Sequence, residues 1–144
     1  MPLARTAMYA GGEDLHIAVW PGGVDLTEVI TRSIAREGRV YVLSAATLFS
    51  ADDVQDSFPL AEAVRAAVAK PFQDGGSCIA GPDGAWIVPP VADEERLVIA
   101  DIEPARVREE RQNFDPTGHY ARPDVLSLRV DRRRLGSVRF EDEG

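Results

Sequence analysis

Cysteine is almost missing from this chain: Cys78 stands alone in 144 residues. One cysteine cannot close an internal disulfide, which fits a reducing cytoplasm. Histidine is nearly as scarce. The two present, His16 and His119, share no metal-ligand spacing with Cys78, so neither a metal nor a cofactor is expected. Positive charge is also in deficit. Sixteen Lys and Arg against 24 Asp and Glu leave a net charge of -8, which argues against nucleic acid as a partner, because phosphate binding needs concentrated cations. The one basic cluster, Arg132-Arg133-Arg134, is short and is followed by Glu141-Asp142-Glu143. It reads as a solvated tail rather than a phosphate site. No apolar run approaches the length of a membrane span, and the N-terminus has no signal-peptide core. Internal repeats and low-complexity segments are missing too. These absences predict a soluble, cytoplasmic, one-domain protein without a membrane partner, and the chain is long enough to bury a real core.

What is present reads as helix and strand in alternation. Met1 to Ala10 is a predicted helix, with proline favoured near its start and Gly11-Gly12 at its end. Its start at the first residue leaves no room for an N-cap. Leu15 to Trp20 is a nearly continuous apolar run, the pattern of a strand buried on both faces. After Pro21-Gly22-Gly23, Asp25 and Glu28 stand at capping-box spacing. Leu26, Val29, Ile30 and Ile34 then form a predicted buried stripe, with Glu28, Thr31 and Arg32 facing elsewhere. Gly38 ends that helix, and Val40 to Ala46 is a second predicted strand. Strand, helix, strand with short connections implies a parallel pair in an α/β fold.

Residues 50 to 74 form an excursion, with a helix predicted from Leu60 to Lys70 and stopped by Pro71. A hairpin follows. Cys78-Ile79-Ala80 and Trp86-Ile87-Val88 flank Gly81-Pro82-Asp83-Gly84, a type I turn in which Gly84 supplies the freedom to leave. Arg96 to Ile102 is a further predicted strand, and Pro104 opens a helix rich in Arg and Glu that reads as a solvated, locally paired face. From Asn113 the chain turns loop-like, before Val125 to Val130 alternates as a half-buried strand.

Few residues here invite chemistry. A reactive cysteine needs a lowered pKa from a cation, a base or a helix N-terminus. Cys78 lies in a strand-like run with none of these adjacent in sequence, so a small buried hydrophobe is the favoured reading. His16, inside a strand, reads as a hydrogen-bonded core histidine. His119 reads as a loop or interface anchor. Trp20 and Pro21 end a strand before a glycine-rich turn, the edge at which open α/β sheets bind ligands. A tryptophan packed in the core is the competing reading.

Four ordered stretches carry a resemblance. They are Asp14 to Gly22, Arg36 to Ala45, Gly75 to Gly84, and the most specific, Phe114-Asp115-Pro116-Thr117-Gly118-His119-Tyr120-Ala121-Arg122-Pro123-Asp124-Val125. Together they resemble the nitrilase branch of the carbon–nitrogen hydrolase superfamily, over residues 1 to about 131. The resemblance implies an αββα sandwich of which this chain would be the C-terminal half, a mixed sheet with helices on one side. It also implies that the family's Glu, Lys and Cys catalytic residues precede Met1, so no residue here inherits a catalytic role. A truncated or mis-started nitrilase, inactive as this chain, is the first expectation. A non-catalytic half-domain that joins a separate N-terminal piece or an intact homologue is the second, and a new hydrolase built around Cys78 a weak third. Its small-molecule ligand would be a nitrile or amide once the missing half is supplied. The resemblance further implies that Trp20 and Pro21 line a substrate pocket. The tail from Asn113, with His119, Tyr120, Arg122 and Pro123, would reach a neighbouring subunit in a homo-oligomer. Residues 132–144 are expected to be a flexible charged end.

Overall fold

A computed structural model describes residues 1–68 and 73–133. Helix α1 (Pro2–Ala10) leads into strand β1 (Leu15–Trp20), helix α2 (Val24–Gly38) and strand β2 (Tyr41–Ala46). A short 3-10 turn (Ala51–Asp53) and helix α3 (Ala61–Ala67) make up the excursion. Strands β3 (Gly75–Ala80) and β4 (Trp86–Ala92) form the hairpin, and α4 (Ala105–Asn113) closes the regular structure. The four strands make one mixed sheet in chain order. β1 and β2 run parallel, from Leu15 opposite Tyr41 to Trp20 opposite Ala46, while β3 is antiparallel to both β2 and β4. This is an α/β fold of the kind expected for a nitrilase-type fragment. Among the described residues no helix is long and apolar enough to cross a membrane.

α2 is the packing centre. It lies against the sheet and brings Tyr9, Ile34, Ala35, Val40, Val42 and Ala80 into one core, with Trp20, Ile30 and Trp86 packed around it. Gly38 is where α1 crosses: a side chain there would overlap the Tyr9 ring, so the two helices can approach only over a residue without a Cβ. Arg39 then ends α2 in the left-handed region, at φ 51°. Its guanidinium donates to Glu110 of α4 at 3.1 Å and stands 5.5 Å over the Phe114 ring. The hairpin turn is as its residues dictate. Gly84 takes φ 77°, its N–H bonds the Gly81 carbonyl at 2.8 Å, and its own carbonyl accepts from Arg32 Nε at 2.8 Å.

Several expectations are corrected. β1 is not buried on both faces: His16 and Ala18 are buried, whereas Leu15, Ile17 and Val19 are 41%, 64% and 79% exposed. α2 covers one side of the sheet; the other side is open along β1, whereas Tyr41 of β2 and Ile79 of β3 on that same side are 4% and 5% exposed. The buried stripe of α2 is Thr27, Thr31, Ile34, Ala35 and Gly38, and Leu26 and Val29 point outward. Two helical periodicities coexist in that sequence, and the one with small side chains wins because the helix lies close to the strands. No Asp25–Glu28 capping box forms. The N-cap is Gly23, and the Val24 amide is satisfied by Asp74 Oδ1 at 2.9 Å, from fifty residues later.

Residues 96–102 belong to no strand, with Leu97 and Ile99 exposed. Residues 125–130 likewise have no partner strand among the described residues. Apolar alternation supplies strand-like side chains, but a strand also needs a neighbour for its backbone groups. α3 covers Ala61–Ala67, and Leu60 is its left-handed, exposed N-cap rather than its first helical residue. The expected helix end at Lys70 and the charged end from Arg134 onward lie outside the described residues. α4 carries one local ion pair, Arg106 with Glu109, but Glu110 and Arg111 reach outward to Arg39 and Asp14.

Candidate functional site

The carboxyl ends of the parallel pair β1 and β2 are where an α/β sheet offers a ligand edge. β1 delivers Trp20 there, next to the exposed Pro21 and the buried Gly22 and Gly23. Alternation along the strand places Trp20 with His16 and Ala18 on the side facing α2. Its ring is half-buried, and Nε1 donates to Ser44 Oγ at 3.1 Å. Ser44 Oγ lies 2.6 Å from Thr31 Oγ1, and the Cys78 thiol donates to the same threonine oxygen at 3.5 Å. β1, β2, α2 and β3 each contribute one member to this polar line. It is not legible as a site in the sequence, because the apolar row of α2 turns Thr31 away from the expected core. The i, i+4 pair Thr27–Thr31, in step with Gly38, was the available signal.

Cys78 is fully buried. Burial pushes its thiol above the ordinary value, and hydrogen bonding from Thr31, Ser44 and Thr27 only partly offsets this. A thiol held protonated and shut off from solvent is a poor nucleophile, as the sequence led one to expect. His16 is the hydrogen-bonded core histidine, its Nδ1 2.5 Å from Glu13 Oε1. Arg111 donates to the Glu13 carbonyl and, at 3.2 Å, to Asp14 Oδ1, which fastens α4 to the start of β1. Among the described residues no group of three or more His, Cys, Asp or Glu could hold a metal ion.

The tail residues lie together on the loop after α4. Asp115 organises it. Burial pushes its carboxyl up, but bonds from the Thr117 and Gly118 amides and the Thr117 hydroxyl, with Arg111 nearby, outweigh this and hold it below the usual carboxylate range. Tyr120 sits 4.7 Å from the Phe114 ring and 4.9 Å from that of His119. His119, Tyr120, Arg122 and Pro123 are all exposed, and Arg122 grips Asp124 through two bonds of 2.7 and 2.8 Å. A cavity of about 390 Å³ lies beyond the end of β2, bounded by Ala46, Ser77, Val91, Glu94 and Arg96. Ser77 Oγ there is already engaged by the Ala46 amide at 3.0 Å. Trp20 and Pro21 do not line it.

Comparison with known proteins bears on this arrangement. Residues 1–112 match the family model described as carbon-nitrogen hydrolase. The chain is 34% identical over 151 residues to an aliphatic nitrilase of Rhodococcus rhodochrous, covering 96% of this chain and 39% of that protein. It is 36% identical over 145 residues to the bifunctional nitrilase/nitrile hydratase NIT4B of Nicotiana tabacum, covering 97% and 41%. A nitrilase of Pseudomonas syringae pv. syringae is 32% identical over 142 residues, at 88% and 40%. The chain therefore spans about two fifths of the length of the curated relatives it matches.

Proposed function

This chain belongs to the carbon–nitrogen hydrolase family, and from that premise we propose that it forms the part of a nitrilase domain that follows the nucleophile. In this reading residues 1 to about 131 supply one covered sheet, one edge of the substrate pocket at Trp20 and Pro21, and a subunit-contacting tail. The reacting groups come from elsewhere. A thiolate outside this chain adds to the nitrile carbon to give a thioimidate. Water then displaces ammonia, and a second water hydrolyses the acyl-enzyme to the carboxylic acid.

The observation that carries the reading is the asymmetry of the sheet. One face is sealed by α2, and along β1 the other presents Leu15, Ile17 and Val19 to solvent, as an edge awaiting a further layer would. Burial of Cys78 supports an inactive state for the chain alone. Exposure of His119, Tyr120, Arg122 and Pro123 supports their role as contacts in a homo-oligomer, and the cytoplasm is the compartment we assign.

The test is complementation. The chain is co-expressed with the portion of the Rhodococcus rhodochrous nitrilase that the match leaves out, and ammonia release from aliphatic and aromatic nitriles is assayed. We expect no release from the chain alone and turnover from the combined pieces. Turnover by the chain alone that disappears in Cys78→Ser would overturn the proposal. Sequencing upstream of the Met1 codon separates a truncated nitrilase from the second reading, a non-catalytic half-domain that joins a separate piece, which the open sheet face also favours.

A further inference from the structure

The line from Trp20 to Cys78 has a direction. An indole can only donate, and a thiol is a weak donor. The bonds from Trp20 to Ser44 at 3.1 Å and from Cys78 to Thr31 at 3.5 Å therefore both run inward, onto two hydroxyls 2.6 Å apart. Ser44 is 2% exposed, and Thr31 and Cys78 are fully buried. The Ser44 oxygen is thus almost shut off from solvent, and it takes the indole N–H from the strand neighbouring its own. Trp20 occupies the rim of that closed region. Part of its ring packs on the core and the rest stands at the end of β1, where the chain turns through Pro21 to Gly23.

We propose that Ser44 is a positioning residue. By holding Nε1 it fixes the plane of the Trp20 indole at the carboxyl edge of β1 and β2, and with it the contour of the apolar wall offered to a nitrile's substituent. This rests on the reading of Trp20 as a pocket wall given above. Ser44 itself meets no ligand. Its effect reaches specificity only through the ring.

Nuclear magnetic resonance of the nitrogen-labelled full chain tests both links. The Trp20 indole signal is assigned by its loss in Trp20→Phe. Ser44→Ala should move that signal and speed its exchange with solvent about fivefold to tenfold, the range expected for one lost hydrogen bond. Thr31→Val removes the next hydroxyl from the same core but leaves the Trp20–Ser44 bond, so it should leave the indole protected. Benzonitrile and butyronitrile, added separately to the labelled chain assembled with the co-expressed portion used in the complementation test, should each shift the Trp20 signal. In Ser44→Ala the ratio of their apparent affinities should change by about threefold or more. An indole signal unmoved in Ser44→Ala, or loosened equally by Thr31→Val, overturns the positioning role while the nitrile shifts keep the pocket reading. If neither nitrile moves Trp20 although Ser44→Ala does, the pocket reading falls and the role in specificity falls with it.

Discussion

Alternate residues of β1 occupy opposite worlds. His16 and Ala18 are sealed beneath α2, whereas Ile17 and Val19 stand in water on the other side of the same sheet. A β-branched side chain moved from water into a packed interior gains roughly 1.5–3 kcal/mol, and the open face forgoes much of that gain. The sealed face instead spends buried volume on polar atoms, Thr27, Thr31 and Ser44, each wholly or almost wholly buried and hydrogen-bonded. The closed side is thus finished down to its polar pairs. Along β1 the other side is apolar and bare, whereas Tyr41 and Ile79 on that side of β2 and β3 are already buried.

The sharpest way to break that contrast is a matched pair of substitutions. Ile34→Ala, under the sheet at 2% exposure, should cost about 2–5 kcal/mol in urea unfolding. Ile17→Ser on the open face should change it by no more than ~0.5 kcal/mol. Equal losses would mean that the open face is already covered in solution, and light scattering would identify the covering copy. A smaller effect is expected at the cap of α2. Asp74→Ala removes the acceptor of the Val24 amide and should cost about 1 kcal/mol, with faster hydrogen exchange confined to the first turn of that helix. The smallest concerns pH. Burial, and after it the Glu37 carboxylate, push the Tyr9 hydroxyl up to about 12, above the roughly 10 of an unfolded tyrosine. The folded state then holds this proton more tightly. Its contribution is whole below about pH 10 and is lost as pH climbs toward 12. Tyr9→Phe should flatten the pH dependence of stability across that window.

The elements themselves were largely legible. Pro2 and Gly11 bound α1, the apolar runs gave β1 and β2, and Pro82-Asp83-Gly84 announced the hairpin, because each is a local signal read by its own neighbours. Burial was less legible. α2 carries both an apolar row at Leu26 and Val29 and a small-residue row at Thr27, Thr31 and Gly38, and only the strands beneath decide which is inside. Strand-like patterns at 96–102 and 125–130 failed for the complementary reason: alternation describes side chains, while pairing depends on a partner that no local pattern contains. Of the candidate site, Trp20 was visible from its place at a strand end. Ser44 and Thr31 were not, since two hydroxyls thirteen residues apart become neighbours only after the chain has crossed from helix to sheet.

The distant cap of α2 sets an order of events. During synthesis Val24 leaves the ribosome fifty residues ahead of Asp74, so the first turn of α2 must stay hydrated until the hairpin strand is made. Arg32 waits still longer for the Gly84 carbonyl. The amino-terminal half of the chain can therefore assemble early but cannot lock early. It stays adjustable until the final antiparallel pair arrives and clamps both the start and the middle of the helix.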